Sequence, residues 1–243
     1  MKLLKTIFGF IWLGWGAFWF LMVMVLCTPF IGITLPLFRK RAPLFWVWFL
    51  FSKGAPFILF MCGIRMKVYG RDGIDSSKTY VLVSNHVSQL DPVACGAASP
   101  FPAKFLAKKE IEKIPFFGYV TRKLSIMVDR KSKESREKSV QYMMEELKRG
   151  SSLLIYAEGT RNRTDEKLKE FKDGAFRVAI LSQTPIVVET LVGLKKINHP
   201  NKMELFPGSI EVYLSKPIET KGMTVDDLPA LKERVRNEML EHL

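Results

Sequence analysis

From Tyr80 to Pro92 the chain reads Tyr-Val-Leu-Val-Ser-Asn-His-Val-Ser-Gln-Leu-Asp-Pro. The aliphatic and β-branched run Val81-Leu82-Val83 predicts a short buried strand. At the other end, Asp91-Pro92 places an N-cap residue before a proline, which is a helix-start signal. The strand-to-helix turn between them carries His86 and, five positions on, Asp91. A histidine in such a turn sits at the carboxyl edge of an open α/β sheet, where ligands of these sheets bind. An aspartate close behind it would hold the imidazole in one tautomer and stabilise its protonated form. Taken alone, the pair has a plainer reading, with Asp91 as a cap and His86 as a hydrogen-bonded turn residue.

A second apolar strand, Ser152 to Ala157, leads into Glu158-Gly159-Thr160-Arg161. Between the two turns lies Lys108-Lys109-Glu110-Ile111-Glu112-Lys113-Ile114-Pro115-Phe116-Phe117-Gly118, followed by Val128-Asp129-Arg130. After them comes Phe171-Lys172-Asp173-Gly174-Ala175-Phe176. The ordered set, with the spacing His-x4-Asp and the later Glu-Gly-Thr-Arg, resembles the glycerolipid acyltransferase family, and within it the bacterial lysophosphatidate acyltransferases. The resemblance covers roughly Arg65 to Leu191. Three features depart from it. Leu124-Ser125 stand where a glycine is common, Val188-Glu189 replace a Pro-Val pair, and Gly193 to Met203 has no counterpart in the family pattern.

At 243 residues the chain is long enough for one domain with an appendage. Hydrophobic residues make up 48% of it and are concentrated in the N-terminal quarter. The net charge of +13 calls for an anionic partner: nucleic acid, an anionic membrane surface or a phosphorylated substrate. No nucleic-acid motif is present, and the apolar N-terminus points to membrane lipid. The cysteines Cys27, Cys62 and Cys95 have neither disulfide-framework nor zinc-ligand spacing, so no metal is expected and activity should survive a chelator.

Thr6 to Phe38 carries no charged side chain, and a second apolar stretch runs from Ala42 to Ile64, with Arg39-Lys40-Arg41 between them. The first exceeds the ~20 residues needed to cross a bilayer. Basic residues flank every end of both stretches, so one cluster would lie on the wrong side if the first stretch crossed. Pro29 and Pro36 also weaken a single helix through it. The expectation is therefore a two-helix anchor embedded from one face, residues 1–64, ahead of a catalytic domain over 65–243. Strands alternate with helices in that domain. The expected fold is α/β, with a mostly parallel central sheet flanked by helices and the N-terminal membrane-embedded anchor.

For acyl transfer, an alcohol must lose its proton while it attacks a thioester. A neutral imidazole suits that task near pH 7. His86 is the candidate base and Asp91 its orienting partner; His199 and His242 lie in a polar turn and at the terminus. No nucleophile-elbow serine or cysteine is present, which favours direct transfer from thioester to alcohol. Arg161 can grip a phosphate bidentately, Gly159 lets the backbone approach, and Thr160 offers a hydroxyl. Glu158 by itself suits a cation or an amide better than a phosphate. The resemblance implies that Glu158, Gly159, Thr160 and Arg161, with Lys108, Lys109 and Arg130, bind the glycerol phosphate. It further implies 1-acyl-sn-glycerol-3-phosphate O-acylation to phosphatidate in phospholipid biosynthesis. The co-substrate would be acyl-CoA or acyl carrier protein, with no other cofactor, at a bacterial inner membrane with the catalytic domain facing the cytosol.

Two other readings stay open. Glu189 is either the ion-pair partner of a nearby lysine or a selector for the amino group of an amino-acid-containing lyso-lipid. A non-catalytic protein that holds anionic membrane lipid would share the charge and the anchor but would have no need of a base beside a phosphate clamp.

Overall fold

In the computed structural model of the chain, residues 2–38, 42–128 and 133–243 are described. Seven strands form one sheet: β1 Ile64–Tyr69, β2 Val81–Ser84, β3 Ala103–Lys108, β4 Ile126–Val128, β5 Ser152–Tyr156, β6 Ile186–Val192 and β7 Gly208–Leu214. Their spatial order is β1-β7-β6-β2-β5-β3-β4. Every neighbouring pair is parallel except β6 with β7. The sheet is thus mostly parallel, as the alternating pattern predicts. The first strand is the exception, because β1 pairs with β7 and both run against the other five.

Burial on both faces explains why the central strands read as unbroken apolar runs. On β2, Leu82 points into a cluster with Leu154, Val187, Ala94 and Cys95. Its neighbours Val81 and Val83 point into the opposite cluster with Leu153, Ile155, Ile186 and Val188. The first cluster is covered by α3 Ala55–Met61 and α4 Asp91–Ala98, and the second by α6 Lys133–Lys148, α7 Gly174–Ser182 and α9 Leu228–Leu240. On α6, Met143 and Leu147 are core residues, as the helical spacing indicates.

The N-terminal helix departs from expectation. α1 runs from Lys2 to Leu37 with Pro29 and Pro36 inside it. Two threonine hydroxyls beside the prolines bond back to the preceding turn. Thr28 Oγ1 donates to Met24 O at 2.6 Å and Thr34 Oγ1 to Phe30 O at 2.7 Å. The second apolar stretch forms α2 Ala42–Phe49, a π-turn over Leu50–Gly54, and α3. The π-turn ends where Pro56, which has no N–H, enters the first turn of α3. Both apolar segments, 2–37 and 42–61, are long and apolar enough to cross a membrane, which suggests membrane association. The basic cluster 39–41 lies outside the described residues.

α1 lies against the sheet domain. Its buried residues Gly9, Gly16, Met24, Cys27 and Ile31 fall on one side. A Cβ at Gly9 would meet the Phe206 ring at 2.6 Å, and one at Gly16 would meet Leu205 at 2.9 Å. Helix α5 spans Phe117–Leu124, and Phe116 at its cap position takes a positive φ of 59°. Gly118, in its first turn, lies so close to the preceding segment that a Cβ would sit 2.3 Å from Glu112 O.

Candidate active site

β2, β3, β4 and β5 are parallel neighbours, so their carboxyl ends share one edge of the sheet. The motif-bearing segments leave from that edge: His86 after β2, Lys108 and Lys109 at the end of β3, and Glu158 to Arg161 after β5. Arg130, just beyond β4, lies outside the described residues.

His86 Nδ1 is 2.6 Å from Asp91 Oδ2. The same oxygen accepts the backbone N–H groups of Val87 at 2.6 Å and Ser88 at 2.9 Å. A carboxylate only accepts, so the proton belongs on Nδ1 and the Nε2 lone pair is left for another partner. The His86 side chain is 18% exposed and that of Asp91 is fully buried. Burial pushes the Asp91 carboxyl above its ordinary value, against the pull of the His86 ring and the two amides. The plainer sequence reading of Asp91 is corrected here. It is the first residue of α4, Leu90 holds the cap position, and no side chain caps the helix. The carboxylate instead closes the preceding turn on itself.

The second motif is locked to the first. Glu158 Oε1 accepts the His86 N–H at 2.9 Å, and Oε2 accepts the Lys169 N–H at 3.0 Å. Burial pushes this carboxyl up as well, with the two amides opposing. Both oxygens are taken by backbone and the residue is 1% exposed. This departs from the implied contact between Glu158 and the acceptor. Its geometry is that of a clasp between the two turns, in line with the amide pairing read from its chemistry alone.

Gly159 has φ +69°, which favours glycine, and Lys172 Cγ would lie 3.2 Å from a Cβ there. Thr160 is exposed, and its hydroxyl accepts from Lys169 Nζ at 3.1 Å. Arg161 is half-buried, and its Nη1 is buried with no hydrogen-bond partner among the described residues. A guanidinium nitrogen in that state is short of an acceptor. Lys108 and Lys109 are exposed at the same edge.

Several residues that shape the site escaped the motif reading. Tyr156, the last residue of β5, stacks on the His86 ring with centroids 4.0 Å apart. Asn162 donates its N–H to His86 O at 2.6 Å. Asn85 bonds both backbone groups of Leu191, from Nδ2 to the carbonyl at 3.0 Å and to Oδ1 from the amide at 2.8 Å. Strand alternation toward the catalytic face could have flagged Tyr156. The asparagine contacts join residues far apart in sequence and left no local signal.

Glu189 is corrected too. It is 0% exposed on β6, and among the described residues neither carboxylate oxygen has a well-formed hydrogen bond, the Cys95 thiol being the donor beside it. Among the described residues it forms no ion pair with a lysine. Cys95, Asp91 and Arg71 are the polar groups that act on it, and Arg71 itself donates to the carbonyls of Ala97 and Ala98. Among the described residues, no three His, Cys, Asp or Glu side chains gather as a metal centre.

Comparison with known proteins matches residues 65–189 to the acyltransferase family model. The chain is similar to the 1-acyl-sn-glycerol-3-phosphate acyltransferase of Saccharomyces cerevisiae, 29% identical, over 75% of this chain and 61% of that protein. It is 31% identical to the human 1-acyl-sn-glycerol-3-phosphate acyltransferase alpha, over 75% of this chain and 65% of the relative. The chain thus spans a little under two thirds of these relatives. The crystal structure of the 1-acyl-sn-glycerophosphate (LPA) acyltransferase PlsC from Thermotoga maritima superposes with a TM-score of 0.82 at 20% identity, covering 98% of this chain and 95% of that one, which establishes the fold. With the family model matched over half its length, the chain belongs to the acyltransferase family.

Proposed function

We propose that the protein is a 1-acyl-sn-glycerol-3-phosphate O-acyltransferase, which moves a fatty acyl group from acyl-CoA or acyl carrier protein to the sn-2 hydroxyl of lysophosphatidate. The observation that carries this reading is the His86 Nδ1–Asp91 Oδ2 contact of 2.6 Å, which leaves Nε2 available, on the sheet edge that also bears Arg161, whose Nη1 has no partner among the described residues. His86 Nε2 takes the hydroxyl proton as the alcohol oxygen attacks the thioester carbonyl. The tetrahedral intermediate then expels the thiolate, the C–S bond breaks, and the imidazolium returns its proton to sulfur. Asp91 holds the ring and stabilises its charged form between the two proton transfers. Arg161, with Gly159, Thr160, Lys108, Lys109 and Arg130, receives the phosphate, while Glu158 keeps the two turns together. The yeast and human relatives named for this reaction support the choice of acceptor.

Residues 1–64 act in this reading as an anchor that lies along one leaflet, ahead of the catalytic domain over 65–243. At 36 residues α1 is about 54 Å long, well beyond the ~30 Å hydrocarbon core. One side of it is packed on protein from Gly9 to Ile31, which suits a helix lying along the domain better than one crossing the bilayer. The exposed side carries Phe10, Phe18, Leu26, Phe30 and Ile33 for lipid. A cytosolic face of a bacterial inner membrane suits the soluble acyl donors.

The test is phosphatidate formation from lysophosphatidate and labelled palmitoyl-CoA by detergent-solubilised protein, with His86→Ala beside it. Product from the wild type alone is expected. Equal product from both would remove His86 as the base. Lipid binding without product, with either thioester donor, would favour a non-catalytic lipid-holding protein.

A further inference from the structure

Asn198 lies between β6 and β7, just after the short helix α8 Leu194–Ile197, in the segment that the family resemblance leaves without a counterpart. It is 1% exposed, and its amide bonds to two different parts of the molecule. On one side, Oδ1 accepts from Ser88 Oγ at 2.6 Å and from the Gln89 N–H at 3.2 Å. On the other, Nδ2 donates to Glu204 O at 2.8 Å. The partners fix which end is oxygen, because the Gln89 amide only donates and the Glu204 carbonyl only accepts.

Both sets of partners lead somewhere. Ser88 and Gln89 form the middle of the turn between His86 and Asp91. The Ser88 N–H donates to Asp91 Oδ2, the oxygen that faces His86, and Ser88 Oγ accepts the Leu90 N–H at 3.0 Å. Glu204 precedes Leu205, whose N–H donates to Gly9 O of α1 at 2.9 Å, and Phe206, whose N–H donates to Ile197 O at 2.9 Å. Asn198 is therefore the side chain between the seat of the N-terminal helix and the backbone that aims Asp91.

We infer that Asn198 is a positioning residue for acyl transfer: by gripping Ser88 and Gln89 it keeps Asp91 Oδ2 under His86 Nδ1, and it ties that alignment to the docking of α1. The inference rests on the reading of His86 and Asp91 as base and orienting partner. Truncating Asn198 would free the Ser88-Gln89 backbone to shift by part of an ångström. Misplacement of about 1 Å in a reacting group can cost ~10²-fold in rate.

The test compares Asn198→Ala, Ser88→Ala and the double variant with wild type in detergent, using lysophosphatidate and palmitoyl-CoA. Three readouts are taken: kcat and KM, the melting temperature, and the downfield proton resonance of the His86 Nδ1–H hydrogen bond, identified by its loss in His86→Gln. The expected result for Asn198→Ala is kcat lower by about 10- to 100-fold with KM within about twofold, and a downfield resonance that moves or vanishes. Because the two single changes break the same bond, the double variant should be no slower than the worse single within about twofold. A folded Asn198→Ala with unchanged kcat and an unmoved resonance would overturn the inference, as would fully multiplicative losses in the double variant. If Asn198→Ala does not fold, Ser88→Ala decides alone: lower kcat at constant KM upholds it and unchanged kcat refutes it. If wild type makes no phosphatidate, the acceptor assignment fails instead, and the Nδ1 resonance in the variants still decides the role of Asn198.

Discussion

The Tyr156 ring lies flat against the His86 imidazole, 4.0 Å between centroids and 11° from parallel. The stack covers one face of the base while Asp91 fixes its edge, so the ring can neither tilt nor turn. Tyr156→Phe keeps the face and should leave kcat within a few-fold of wild type. Tyr156→Leu removes it and should lower kcat by about tenfold, since an aromatic pair is worth about 0.5–1.5 kcal/mol beyond its burial. Initial rates at saturating substrate check both.

His86 and Asp91 should separate activity from stability. His86→Ala removes a partly exposed ring and should lower kcat by roughly 10²–10⁴-fold with little change in melting temperature. Asp91→Ala should lower both, because it also strips the acceptor from the buried Val87 and Ser88 amides, at about 1–3 kcal/mol for each group left unsatisfied. Thermal melts of the two variants, run beside the rate assay, give the comparison.

Arg161 should govern acceptor affinity more than turnover. Replacing it with alanine is expected to raise KM for lysophosphatidate by about 10- to 100-fold, given that hydrogen bonds to charged groups contribute about 1.5–3 kcal/mol. Lysine at the position should recover part of this, because it restores the charge without the fork. A monoacylglycerol acceptor, which has no phosphate, should react equally poorly with all three forms. Kinetics over an acceptor series would show the pattern.

Glu189 makes stability depend on pH in a definite direction. Complete burial, with the Asp91 charge adding to it and Cys95 and Arg71 opposing, pushes its carboxyl from 4.5 up to about 8. Below the unfolded value the group is protonated in both states. Between the two values the folded state keeps a proton that the unfolded chain has released, so stability falls as pH rises through this window. Glu189→Gln should flatten the decline in melting temperature between about pH 5 and about pH 9. At the alkaline end the variant should be the more stable form by something on the order of a few kcal/mol.

What the sequence disclosed, and what it hid, divides along distance in the chain. The strand at Val81–Val83, the turn bearing His86 and the start of α4 are local patterns, and each can be read from about a dozen consecutive residues. The convergence of His86, Lys108 and Glu158 on one edge follows once their strands are taken as parallel. The Glu158 clasp joins residues 72 positions apart, the Asn85 pair with Leu191 spans 106, and Ser88 with Asn198 spans 110. No periodicity marks such pairs, because each partner satisfies a buried donor or acceptor that exists only in the folded chain. The prolines of α1 misled for a related reason. Their cost in an isolated helix is real, but α1 is packed along one side from Gly9 to Ile31, a tertiary gain that no local pattern shows.

Ala55, Ile58, Leu59 and Cys62 belong to the same buried cluster as Leu82, Leu191, Leu205 and Ile210. The apolar N-terminal segment is therefore one wall of the folding unit. Cutting the chain at the start of β1 to obtain a water-soluble enzyme would uncover the underside of the sheet and yield an aggregating product. Solubilisation by redesign has to leave α3 and the inner side of α1 untouched, and recode outward residues such as Phe10, Phe18, Leu26, Phe30 and Ile33 as polar ones.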